Sequence, residues 1–231
     1  MSKKEDILKK YRANVREQFP MPDLSDIQAV TYTDPLRQFI EMTQSVGGRV
    51  VEFPSSKELP AFTNEVPSSG DEGSGVVAKG LGSFIRSLYP EAREIASNLP
   101  EVADIATRNP DTVASPQDLN GTDVGIIRGA FGVAENGCIW VPQHMVQKAV
   151  CFISENLVIL LPKSQIVNNM HEAYHRLRTD ARAFSPSFGS KVGSGAYGTF
   201  ISGPSKTADI AQVLVMGAQA ARTVTVVLLP E

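Results

Sequence analysis

At 231 residues the chain is long enough for one large α/β domain or two small ones, and its 42% hydrophobic and 20% charged residues are ordinary for a globular protein. A net charge of −3 offers no basic face for a polyanion, so no nucleic-acid partner is expected. The longest apolar runs, Leu157 to Pro162 and Val224 to Leu229, are too short to cross a bilayer, and no apolar signal core opens the sequence, which predicts a cytoplasmic protein with no membrane segment.

Residues 3 to 19 carry Ile7, Tyr11, Val15 and Phe19 at helical spacing, with Leu8 widening the stripe and lysines and arginines on the other faces. This predicts an amphipathic N-terminal arm over 1–20, docked on its own domain or on a second copy of the chain, ahead of an α/β domain over 21–231. Asp34 is placed to cap a helix with Pro35 at its first position and Gly47-Gly48 as its stop. Arg49 to Phe53 reads as a strand. The stretch from Pro54 to Gly75, rich in Ser, Pro, Gly and acidic residues, reads as a surface loop.

Ser83 to Ser97 reads as helix with a break at Pro90, and Asp118 lies in a turn. Asp123 to Ile127 is the next strand. Cys138 to Val141 and Val150 to Ile153 read as a pair of strands, and Leu157 to Leu161 as another. Ser164 is expected to cap a helix from Gln165 to Arg178, with Met170, Tyr174 and Leu177 on its core face. Residues 184 to 197 form a long Ser/Gly-rich connection. Thr199 to Ser202 is β-prone and ends at Gly203-Pro204. Ser205 then stands where a helix N-cap belongs, Asp209 near the helix's positive end, and Ile210, Val213, Leu214 and Gly217 follow at helical spacing. Thr223 to Leu229 has the continuous apolar character of a parallel strand covered on both faces. The alternation predicts an α/β fold with a mostly parallel sheet flanked by helices.

Two segments carry candidate chemistry. In the first, a helix opening after Ser202 and Gly203 would aim backbone N–H groups at an anion, with Lys206 supplying charge and Ser205 and Thr207 hydroxyls. A phosphate or carboxylate would suit it, although the pattern is not a P-loop; the alternative is a structural cap and tight turn. In the second, Arg128 lies near Glu135, Asn136 and Gly137 in sequence, where a carboxylate and an amide beside a glycine turn could bind a ligand, with Glu135 as general base. The alternative there is that Glu135 caps a helix or pairs with Arg128.

His171-Glu172-Ala173-Tyr174-His175 matches H-E-x-x-H. Arg176 follows directly, and His144 is the one further histidine, so a solvated polar face is expected and no metal site. Cys138 and Cys151 fall in apolar surroundings and read as small core residues, and two thiols are too few for an iron–sulfur cluster. No cofactor is expected on this chain.

The run Ser202-Gly203-Pro204-Ser205-Lys206-Thr207-Ala208-Asp209-Ile210 resembles the signature of the LUD domain, the lactate-utilization protein C family. Asp123-Val124-Gly125-Ile126 followed by Val133-Ala134-Glu135-Asn136-Gly137 resembles the family's strand and Ala-Glu-Thr-Gly turn, with Asn136 where Thr is usual. Val158 to Pro162 followed by Ile166-Val167 resembles its next strand and helix. The resemblance covers roughly residues 110 to 231 well. It implies the α/β fold shared with sugar-phosphate isomerases, CoA transferases and formyltetrahydrofolate cyclo-ligase.

It also implies an accessory or substrate-binding role in oxidising L-lactate to pyruvate, with iron–sulfur proteins as partners. A rival reading is a transferase or isomerase acting on a phosphate- or carboxylate-bearing substrate, and a third is a zinc hydrolase built on His171 and His175. One departure stands out: where many members show Gly-Val-His-Gly-Pro, this chain has Gly217-Ala218-Gln219-Ala220-Ala221, and Gln219 does not titrate near neutral pH.

Overall fold

The structure, a computed structural model, describes residues 3–14, 28–54, 74–179, 197–208 and 213–230. In chain order the elements are α1 (Lys3–Asn14), α2 (Pro35–Ser45), β1 (Arg49–Glu52), α3 (Ser74–Leu88), β2 (Ile95–Ala96), β3 (Val124–Arg128), β4 (Phe131–Val133) and β5 (Ile139–Pro142). Then follow α4 (Val150–Ile153), β6 (Asn156–Pro162), β7 (Ile166–Val167), α5 (Met170–Thr179), β8 (Gly198–Ile201), β9 (Lys206–Thr207), β10 (Val215–Met216) and β11 (Thr223–Leu229). Short 3-10 turns at Pro100–Val102 and Pro116–Leu119 link β2 to β3. No described helix is long and apolar enough to cross a membrane.

The central sheet has five strands in the order β1-β11-β6-β3-β2, all parallel. Its two longest strands explain why the sequence shows unbroken apolar runs. Leu157, Ile159 and Leu161 of β6, with Val224, Val226 and Leu228 of β11, pack into one core with Phe39 of α2 and Val150 of α4. The alternate residues Val158, Leu160 and Val227 enter the opposite core with Leu81 and Ile85 of α3. With both pleat faces buried, every position must be apolar. The one buried polar residue of the two strands, Thr225, is 2% exposed and bonds the Tyr89 hydroxyl at 2.8 Å, while Asn156 and Thr223 lie at the less buried strand starts. The architecture is therefore α/β, a mostly parallel sheet flanked by helices.

A second sheet, β7-β4-β5-β8, is mixed: β4 runs parallel to β7, and β5 runs antiparallel to both β4 and β8. Phe131, Trp140 and Phe200 meet on it, with the tryptophan and Phe200 rings 4.9 Å apart, and Ala173 of α5 is buried in the same cluster.

Local signals held where capping chemistry was explicit. The Asp34 carboxylate accepts the Arg37 amide at 2.9 Å, and α2 ends with Gly47 at φ 86°, its N–H on the Gln44 carbonyl and that of Gly48 on Thr43. These paired bonds and the left-handed glycine form a Schellman end.

Elsewhere the structure corrects the sequence reading. Val150–Ile153 is a helical turn; four apolar residues have no periodicity that distinguishes strand from helix. The helix expected over 83–97 runs from Ser74 and ends at Leu88, before Pro90, and the chain then enters β2. Ser164 caps nothing: Ile166 and Val167 join the second sheet, and α5 starts at Met170. Asn169 is the cap, its Oδ1 accepting the Glu172 amide at 3.0 Å while the Glu172 carboxylate accepts the Asn168 amide at 2.7 Å. Tyr174, expected in the core, is 55% exposed and lies against the Phe200 ring.

The largest correction concerns the segment after Gly203. Lys206–Thr207 is a strand paired antiparallel with Val215–Met216, not the start of a helix, and β8 belongs to the second sheet rather than beside β11. Asp209 and Ile210 lie outside the described residues, as do residues 15–19 of the expected arm and 55–73 of the expected loop.

Candidate functional site

Because all five central strands are parallel, their carboxyl ends share one edge, the place where open α/β sheets bind ligands. That edge is closed on one side. The Lys163 amide donates to the Leu229 carbonyl at 3.0 Å, and its amine pairs with Glu52 at 2.5 Å, so an ion pair straps the ends of β1, β11 and β6. On the other side stands Arg128, the last residue of β3.

Arg128 emerges from a strand whose four preceding residues are buried, and its own side chain is 44% exposed. Its guanidinium pairs with Glu101, which comes from the 3-10 turn after β2 and is 20% exposed. Burial lowers the guanidinium below its usual value, but arginine keeps its charge at neutral pH. Behind it the Arg128 amide donates to His144 Nε2 at 3.4 Å, and the Nδ1 of the same ring bonds the Pro142 carbonyl at 2.9 Å. A carbonyl partner at Nδ1 places the proton there. Burial, the dominant cause, lowers the His144 pKa below its ordinary value, and the Arg128 charge adds to this, so the ring is neutral at pH 7.

Two further polar side chains complete the cluster. Asn98 donates to the His144 carbonyl at 2.6 Å and to Asp111 at 3.1 Å, and the Asp111 carboxylate also accepts the Val146 amide at 2.8 Å. A groove of about 330 Å³ opens on the other side of Asn98, lined also by Ser97, Pro100 and Thr112; Asn98 is the member of the cluster that lines it. A fixed guanidinium with a forked set of donors, held by one carboxylate and backed by a neutral imidazole, is suited to a small carboxylate or phosphate.

Arg128 is the member of this group that the sequence singled out. His144, Glu101, Asn98 and Asp111 were missed as site residues, because they arrive from separate turns with no shared spacing. The one local signal was Pro100 directly before an acidic residue, a turn that presents a carboxylate.

The other predicted residues lie elsewhere. Glu135 accepts the Met170 amide at 2.8 Å, so it caps the amino end of α5 and does not meet Arg128. Asn136 Oδ1 accepts the Cys138 amide at 3.1 Å, and its carbonyl accepts the Ser202 hydroxyl at 3.1 Å, joining this turn to the Gly203 loop. Gly137, at φ 66°, lies so close to α2 that a Cβ would come within 2.7 Å of the Thr43 amide nitrogen. Gly203, at φ 68°, leaves 2.7 Å between a Cβ and the Val46 carbonyl oxygen.

The Ser205 amide donates to the Ala221 carbonyl at 2.9 Å, its carbonyl accepts the Gly217 amide at 3.0 Å, and Lys206 and Thr207 lie in a ladder with β10. The Lys206 amine lies beside Gly47, at the negative end of α2. The expected ring of free amides at a helix start is therefore replaced by a packed joint between α2, the 134–137 turn and the β9–β10 ribbon.

His171 and His175 are exposed on α5, and Glu172 between them turns back to Asn168. No cluster of three or more metal-ligating side chains occurs among the described residues. Cys138 and Cys151 are both buried, and burial pushes each thiol up to about 12, too high for a nucleophile at neutral pH. Gln219 is exposed.

The LUD domain family profile matches residues 36–229, from α2 through β11. The chain belongs to the LUD domain family. A solved structure of similar fold is the crystal structure of a DUF162 family protein from Deinococcus radiodurans. It is 14% identical with a TM-score of 0.55, over 87% of this chain and 99% of the other. At that identity the likeness speaks for the fold alone. No curated protein matches the chain. The family is associated with lactate utilisation in general terms.

Proposed function

We propose that this LUD-domain protein is the substrate-binding or accessory component of an L-lactate oxidation system, binding the carboxylate at Arg128 and working with iron–sulfur partner proteins. The observation that carries the reading is the position of Arg128: a charged, half-exposed guanidinium at the carboxyl end of an inner parallel strand, oriented by Glu101. The anion role first suggested by Ser202 to Thr207 depended on a helix opening at Ser205. With that helix replaced by a strand ladder, the proposed contact passes to Arg128, and the Gly203 loop becomes the joint that holds α2 in place.

Oxidation of lactate to pyruvate releases two electrons and two protons. Two buried thiols are too few to ligate a cluster, so in this reading the electrons go to the iron–sulfur partners. His144 is neutral and bonded at both nitrogens, and its role is to hold the Arg128 backbone rather than to take a proton from substrate.

Calorimetric titration with L-lactate tests the site: binding to the wild-type chain, and its loss in Arg128→Ala with the fold intact by circular dichroism, is the expected result. Dye reduction by L-lactate should need both this chain and the iron–sulfur partners. Turnover of a phosphate- or carboxylate-bearing substrate by the isolated chain would instead favour the transferase or isomerase reading. A partner mixture that oxidises lactate equally well without this chain would remove the lactate assignment.

A further inference from the structure

We propose that two copies of the chain associate by exchanging their amino-terminal helices, the apolar stripe of α1 in one copy covering the exposed Val213–Met216 segment of the other. This inference is independent of the Arg128 reading.

Each chain carries two apolar surfaces that its own described residues do not cover. Helix α1 has no buried residue, and Ile7 and Tyr11 are 66% and 68% exposed on one stripe with Leu8. At the opposite end of the sequence, Val213, Leu214, Val215 and Met216 are four consecutive exposed apolar residues, with Val213 and Leu214 at 61% and 59%. The last two form β10, which among the described residues pairs only with β9, in a two-stranded ribbon separate from both larger sheets. A bare ribbon of two strands is marginal in water and gains stability when a helix packs on it. A run of exposed apolar residues of this kind marks an interaction surface.

A second copy of the chain is the occupant that satisfies both surfaces at once. Under two-fold symmetry the helix of each copy meets the ribbon of the other, and no apolar surface of either kind is left over. Charge agrees. Five cations against two carboxylates give α1 a net charge of +3, and since the whole chain carries −3, the remaining residues carry −6. The attraction is between the helix and the chain as a whole, since the ribbon itself carries Lys206. With on the order of 100 Å² hidden per side chain, two reciprocal contacts approach the scale of a standard interface, about 1,600 Å².

Sedimentation velocity on the full chain across a concentration series tests this. The wild type is expected to be a dimer. Ile7→Asp and Leu214→Asp should each weaken self-association by about tenfold or more without changing the circular dichroism spectrum. The decisive arm mixes the two variants. The intact helix of the Leu214→Asp chain then meets the intact ribbon of the Ile7→Asp chain, so the mixture should associate more tightly than either variant alone. A monomeric wild type, which would mean that α1 covers its own chain or awaits a different protein, overturns the proposal. So does a dimer indifferent to both substitutions, or a mixture no tighter than its parts.

Discussion

Arg128 and the Gly203 loop both read in sequence as anion sites, and the structure separates them by what their donors already do. Around Gly203 the amide of Ser205 is bonded to the Ala221 carbonyl, and Lys206 faces the end of α2 beside Gly47. At Arg128 the side chain keeps its charge, stays 44% exposed, and pairs with the Glu101 carboxylate, while the backbone behind it is fixed by His144. A glycine-rich turn next to a lysine is equally consistent with a binding loop and with a packed joint. What decides is whether the polar groups are already satisfied within the chain.

The strongest way to break this comparison is Gly203→Ala. A Cβ there meets the Val46 carbonyl oxygen at 2.7 Å, at a φ of 68° that L side chains rarely adopt. Strain and overpacking together should cost roughly 2–4 kcal/mol of stability, read by urea denaturation. L-lactate affinity of the folded fraction should not change. A stable variant that had lost lactate binding would move the site to the loop.

Arg128→Ala comes next. It leaves Glu101 without its partner at a mostly buried position, which should cost about 1–3 kcal/mol of stability. L-lactate affinity should fall about tenfold or more, and Arg128→Lys should recover only part of it because the forked geometry is lost. Unchanged affinity in calorimetry would dissolve the contrast between the two regions.

A smaller effect should appear with pH. The folded pKa of His144 lies below its ordinary value because the ring is buried. The unfolded chain therefore takes up a proton first as pH falls. The contribution of His144 is present in full above the unfolded value of about 6.5 and is lost as pH falls through the folded pKa. Denaturation midpoints should decline on acidification below about pH 6.5, and His144→Gln should flatten that part of the profile. An unchanged slope in the variant would assign the decline to other groups.

Lys206→Ala should do least. Its amine is exposed beside the end of α2, so stability should move by no more than about 0.5 kcal/mol, and L-lactate affinity should stay constant. A clear loss of affinity would restore the loop as a ligand contact.

How legible each part was depends on the range of the forces that shape it. The helix capped by Asp34 and closed by Gly47 was readable to the residue, because the bonds that end it join atoms within a few positions of one another. Strands β3, β6 and β11 were readable because burial on both faces leaves no room for polar alternation. The assignment to the LUD domain family was likewise present in the run from Ser202 to Ile210.

The element formed by that same run was not. Lys206 and Thr207 follow the antiparallel partner at Val215–Met216, so no helix opens at Ser205. The candidate site was hidden for a related reason. Asn98, Glu101, Asp111, Arg128 and His144 sit on separate turns and one strand end; the pairing of β2 with β3 sets Asn98 and Glu101 near Arg128, and long-range hydrogen bonds bring in Asp111 and His144. By itself the sequence determined the caps of α2, the buried strands and the family, since the caps join near neighbours and burial marks every residue of a strand. The tertiary structure alone decided which polar groups the chain's own bonds occupy and which side chains gather at the end of β3, because hydrogen bonds between distant segments have no spacing in the sequence to announce them.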